Sequence, residues 1–306
     1  MRRVPISKVS LFAAIAACAM SAQAAKVLPA QESEDLVPTG KGWGERAAPG
    51  KAPSRSLGNS SNGIFYHGGP LITGGVTVYY IWYGNWNGNT ATTILTDWAN
   101  SIGGSPYFNI NTTYYNGSNV HVENAVAYSG STSDNYSQGT ALSDSKVQAV
   151  VSNTITSGRL PRDTNAVYFV LTSSDVNETS GFCTQYCGWH THGAIAGADI
   201  KYAFVGNPDR CPSACEVQTA SPNGNAGADG MASIIAHELE EATTDPQLNA
   251  WYDRRGSENA DKCAWTFGTT YKTSNGSFAN MKLGARDYLI QRNWVNASGG
   301  YCALIY

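Results

Sequence analysis

Residues 166–174 read AVYFVLTSS, an unbroken apolar run rich in β-branched and aromatic side chains. A strand wetted on one face alternates apolar and polar residues, whereas one covered on both faces does not, so this run predicts a strand inside a sheet. Working upstream, residues 142–158 (LSDSKVQAVVSNTITSG) place Val147, Val150, Val151 and Ile155 on one helical face. Short strand signals stand at Tyr114-Tyr115 and in HVENAVAY (121–128), and residues 90–104 (TATTILTDWANSIGG) carry Ile94, Leu95, Trp98 and Ile102 at helical spacing before a Gly-Gly stop. Still earlier, Val76, Val78, Tyr80 and Trp82 alternate along another strand. Strand and helix take turns, which predicts a mixed, partly parallel α/β sheet with packed helices in a single domain over residues 63–306. Downstream, GFCTQYCGWHTHGA (181–194) leads to a strand at IKYAFVG (200–206) and a Cys/Pro/Gly/Asn loop over residues 207–227. A helix then runs through GMASIIAHELEEATT (230–244), with Asp229 as its N-cap and Asp245-Pro246 as its stop.

Composition narrows the class. The chain has 306 residues, 20 Lys+Arg against 23 Asp+Glu, and only 14% charged residues. It shows no basic stripe, which sets nucleic-acid binding aside, and its 17 tyrosines and 8 tryptophans supply more buriable surface than a disordered chain has. Arg2, Arg3 and Lys8, the apolar run Leu11–Met20 and Ala22-Gln23-Ala24 read as a signal peptide over residues 1–24, too short to remain as a membrane anchor. Residues 25–62, rich in Pro, Gly, Ser and charge without period, read as a flexible leader or pro-like segment. Secretion is the expected fate. Cys18 of the 7 cysteines leaves with the signal, and Cys183, Cys187, Cys211, Cys215, Cys263 and Cys302 remain. In an exported chain they predict three disulfides stapling the C-terminal half, rather than a four-cysteine zinc site, with the pairing open.

The chemistry concentrates in residues 237–263, HELEEATTDPQLNAWYDRRGSENADKC. On a helix His237 and Glu241 lie one turn apart with Glu240, while Met231, Ile235, Leu239 and Ala242 form the opposite face. His237-Glu238-x-x-Glu241 is similar to the H-E-x-x-H helix of zinc peptidases, in which residues i and i+4 bind metal and the intervening Glu handles the proton of water. The expected centre is therefore a divalent metal, zinc first with manganese or calcium as alternatives, on His237, Glu241 and Glu258 or Asp261, with Asp245 and Asp253 as further candidates. Glu238 is the expected general base for a metal-bound water, and Tyr252, His190 or His192 the oxyanion stabiliser. Set against this is a surface helix with solvated glutamates. For His190 and His192 the plain alternative is a disulfide-closed turn exposing both rings, and Trp82, Trp86 and Trp189 would, in a non-catalytic binding protein, offer stacking platforms for sugars.

The succession YHGGPLITGGVTVYYIWYGNW, GFCTQYCGWHTHG, YAFVGNP with CPSAC, and PNGNAGADGMASIIAHELEEATTDP resembles the exordium or phosphate-induced protein family of secreted plant proteins and their bacterial relatives. That resemblance covers about residues 64–306, and the H-E-x-x-E helix is read as the mark of a bacterial-type branch. It implies a secreted, cell-wall-associated protein without an assigned reaction. Joined to the metal-type helix, it implies a zincin-like, peptidase-like hydrolase acting on peptide or cell-wall material. The alternative is a non-catalytic cell-wall or growth-related protein with a structural ion or none.

Overall fold

The computed structural model describes Met1, residues 37–41 and residues 63–306, and the architecture below is that of the compact unit Asp35–Tyr306. Apart from Met1, the stretch read as a signal peptide lies outside the described residues, as does most of the leader.

Its centre is a five-stranded sheet: β1 (Val76–Tyr83), β2 (Val126–Asp134), β3 (Ala166–Thr172), β4 (Gly188–Ile195) and β5 (Ala198–Val205). The spatial order is β2-β1-β3-β5-β4. Pairings β1–β2, β1–β3 and β3–β5 are parallel, and β4 closes one edge antiparallel to β5, with His190 opposite Ala203 and His192 opposite Lys201. Helix α1 (Ala91–Ile102) carries the chain from β1 to β2, and α2 (Asp144–Thr156), capped by Ser143, carries it from β2 to β3. β3 is buried at all its positions, as the apolar run requires.

Helix α3 (Ala226–Thr244) packs against α1 and against β4 and β5. Gly188 shows how close it lies: a Cβ there would meet Ile234 Cγ2 at 2.5 Å, so only glycine lets this strand approach the helix. Five positions along β4, a Cβ on Gly193 would meet Gln148 of α2. An odd separation on a strand reverses the face, so α2 and α3 cover opposite faces, and His190 and His192 share the α3 face with Gly188.

Two local expectations are corrected. Asn225, not Asp229, caps α3, accepting from the Ala228 N–H at 3.0 Å, while Asp229 accepts from Asn223. Nor is α3 amphipathic, for every residue from Gly227 to Thr244 is buried. The polar face is covered by irregular segments from the C-terminal region: Gln291 N–H donates to Ser233, Asn293 Nδ2 to Glu240 Oε2, and Asn259 Nδ2 to the Glu240 carbonyl. Three disulfides join Cys183–Cys211, Cys187–Cys215 and Cys263–Cys302, so the two C-x-x-x-C segments are tied to each other. Trp82 and Trp189 are core residues, which removes them as sugar platforms; Trp86 is half-buried and packs edge-on against Trp82. Among the described residues no helix is long and apolar enough to cross a membrane.

A buried histidine–carboxylate cluster

Three elements converge beneath the β4 edge. Helix α3 supplies His237, Glu238 and Glu241; β4 supplies His190; the loop after α3 supplies Glu258 and Asp261. One helical turn brings His237 Nε2 within 3.1 Å of Glu241 Oε1. The other oxygen of Glu241, Oε2, lies 3.5 Å from His190 Nδ1, and Glu238 Oε2 lies 3.4 Å from the same nitrogen. Asp261 Oδ1 stands 3.6 Å from His237 Nε2, and the Asp261 N–H donates to Glu241 Oε1 at 3.0 Å. Two triads result, His190/Glu238/Glu241 and His237/Glu241/Asp261, in each of which the three potential ligand atoms lie within 4.8 Å of one another.

The remaining candidates fall elsewhere. Glu258 faces the far ring nitrogen of His190, Nε2, at 3.5 Å, and is not grouped with His237. Asp245 ends α3, its Oδ1 accepting from the Asn249 and Ala250 amides, and Asp253 Oδ1 accepts from the Arg255 and Ser257 amides, so both carboxylates organise turns. Tyr252 sits in a two-residue strand with Trp251, stacked on His67 at 3.6 Å between ring centroids. His192, part-exposed, pairs through Nδ1 with Asp199 Oδ1 at 2.5 Å. His190 and His192 are therefore strand residues, not an exposed turn, and only His190 enters the cluster.

Taking charged groups out of water costs several kcal/mol each unless charges or hydrogen bonds compensate, and here every cluster member is buried. Burial drives Glu238 up to about 7 despite the nearby imidazoles, and pushes Glu258 and Glu240 well above the usual range. Burial would raise Glu241 too, but His237 and then His190 bring it down to about 2. Burial would likewise lower both histidines, yet Glu258 at His190 and Glu241 at His237 hold each well above the ordinary imidazole value. Neither carboxylate oxygen of Glu238 and neither ring nitrogen of His190 has a hydrogen-bond partner of good geometry. Buried polar atoms are normally satisfied, so this donor set of imidazole nitrogen and carboxylate oxygen fits a divalent cation.

A further participant had no sequence signal. Residues 37–41, within the stretch read as a flexible leader, pack against β4: the His190 N–H donates to the Gly40 carbonyl at 3.2 Å. Lys41 Nζ reaches Asp144 Oδ2 at 2.6 Å and Ser180 Oγ at 2.7 Å. Gly40 has φ +67° and a Cβ there would sit 2.0 Å from the His190 carbonyl oxygen, so the segment depends on glycine at this point.

The Phosphate-induced protein 1 conserved region matches residues 64–296. The chain is 33% identical to Protein EXORDIUM-like 3 of Arabidopsis thaliana over 291 residues, covering 81% of this chain and 86% of the relative. It is 30% identical to Protein EXORDIUM-like 5 of the same plant, covering 80% and 81%, and 28% identical to Protein PHOSPHATE-INDUCED 1 of Nicotiana tabacum, covering 61% and 66%. No solved structure shows significant similarity to it.

Proposed function

The chain belongs to the phosphate-induced protein family, and from that premise we propose that it is a secreted, metal-dependent hydrolase of peptide or cell-wall material. Its three disulfides and its EXORDIUM-like relatives fit an extracellular protein. His237, Glu241 and Asp261 would hold the cation, with zinc first and manganese or calcium as alternatives. A divalent cation supplies Lewis acidity there, polarising a carbonyl and easing the deprotonation of water.

The protein's own groups supply the rest. His237 and Glu241 are fixed by the helix, and the Asp261 amide holds Glu241 Oε1 in position. Glu238, whose proton affinity burial raises to about 7, takes up and returns a proton near neutral pH. The observation that carries this reading is Glu238 itself: a fully buried carboxylate without hydrogen bonds, one residue from His237 and 3.4 Å from His190.

Glu238→Gln tests it. With labelled casein as the probe, hydrolysis should fall by about 10²-fold or more while the cation at His237 stays bound. Full activity in the variant would remove the mechanism. The closure of the site favours a second reading, a non-catalytic cell-wall or growth-related protein with a structural ion, because His237, Glu238 and Glu241 are at most 1% exposed and residues 37–41 lie over His190. Stoichiometric cation without turnover of casein or cell-wall polysaccharide would support that reading.

A further inference from the structure

We propose that the cluster binds two divalent cations bridged by Glu241, the second held by His190, Glu238 and the Glu241 Oε2 oxygen. This rests on the metal-binding reading above and recasts Glu238 as a ligand of the second ion.

The geometry separates the two oxygens of Glu241. Oε1 faces His237 at 3.1 Å and Oε2 faces His190 at 3.5 Å. Ligand atoms about 2.0–2.2 Å from a common ion must lie roughly 3.0–3.6 Å from one another. The contacts of His190 with Glu238 and Glu241, and of His237 with Glu241 and Asp261, run from 3.1 to 3.6 Å. One carboxylate serving two ions, one through each oxygen, is what the shared residue in both triads implies.

His190 supplies the independent observation. Its ring is fully buried, and Nδ1 faces two carboxylate oxygens without a hydrogen bond to either. Two carboxylate oxygens at 3.4 and 3.5 Å call for positive charge at Nδ1, which in the chelated protein is the ring's own proton and in the loaded protein a cation seated between the three atoms. On the other side Nε2 faces Glu258 Oε1 at 3.5 Å, which places a carboxylate behind the ring, where the outer partner of a metal-bound histidine stands. Charge points the same way. Glu238, Glu241, Glu258 and Asp261 are all buried, and two divalent ions neutralise four carboxylates, where one ion and a protonated His190 leave one still to be protonated.

The test is stoichiometry on the intact secreted protein, stripped with chelator and reloaded with zinc alone or manganese alone. Two equivalents per chain are expected, with exchange coupling in the manganese electron paramagnetic spectrum. His190→Ala and the milder Glu238→Gln should each reduce binding to one equivalent and abolish the coupling, with circular dichroism verifying the fold. One equivalent in the parent chain that survives in both variants overturns the second ion and leaves the first. No bound ion in the parent chain overturns both.

Discussion

Strand β3 and helix α3 are each buried along nearly their whole length, yet for opposite reasons. β3 is a seven-residue run with one polar position, Thr172, and its ladder bonds go to β1 and β5. α3 carries His237, Glu238, Glu240 and Glu241 into an equally water-free interior. The first needs nothing beyond close packing. The second is stable only if something offsets its charge, through protons, asparagine hydrogen bonds as at Glu240, or bound cations. The difference teaches where dependence on conditions should lie: the sheet should be indifferent to chelator and pH, and the cluster should not.

The largest expected effect falls on the apolar side. Phe169→Ala in β3 should destabilise the fold by about 3–5 kcal/mol in chemical denaturation, equally with and without chelator; a chelator-dependent cost would break the contrast. Next, removing the Cys263–Cys302 bridge, which closes a separation of 39 residues, should cost about 2–4 kcal/mol. Because Asp261 lies two residues before Cys263, cation affinity by calorimetry should also fall, whereas the loss in Phe169→Ala should be one of stability alone.

A pH titration of stability sharpens the comparison further. In the chelated protein Glu238, raised by burial to about 7 from a usual 4.5, holds a proton that the unfolded chain has released. Its contribution is lost as pH rises from about 4.5 through about 7. The histidines, raised above 6.5 by their carboxylates once burial is overcome, contribute stability below 6.5 that is likewise lost as pH rises through their folded values. The depressed Glu241 acts in the opposite sense, but only below about 4.5. The chelated protein should therefore weaken between about pH 5 and 8, and added zinc should flatten the curve. A flat curve without metal would remove the electrostatic account. The smallest effect is expected at Gly40→Val, which should free residues 37–41 from His190 and raise their cleavage by added protease several-fold. Global stability should move by less than about 1 kcal/mol.

What could be read from the sequence followed from periodicity. The strand Val76–Tyr83 and helices α1 and α2 declare themselves by alternation or helical spacing, as does the pairing of His237 with Glu241, and Ala166–Thr172 declares itself by its unbroken apolar run. β2, by contrast, runs over Val126–Asp134, beyond most of the 121–128 signal, and Tyr114-Tyr115 yields only an isolated bridge from Tyr115 to His121. What periodicity does not reach is convergence. His190 and His237 are 47 positions apart in sequence and meet only because β4 pairs antiparallel at the sheet edge, a non-local choice. Asp261 rather than Glu258 joins His237 because it opens the short 3-10 turn Asp261–Cys263, whose first N–H donates to Glu241 Oε1, and a three-residue turn has no repeat to read. Solvated glutamates on α3 were a fair alternative because its cover, Gln291 and Asn293, comes from segments without pattern.

Anomalous diffraction from zinc-loaded crystals measures the central claim directly. The account predicts strong peaks on both sides of the Glu241 carboxylate, one by His237 and Asp261, the other by His190 and Glu238. An empty anomalous map, with Glu238 protonated and hydrogen-bonded to His190, would contradict it.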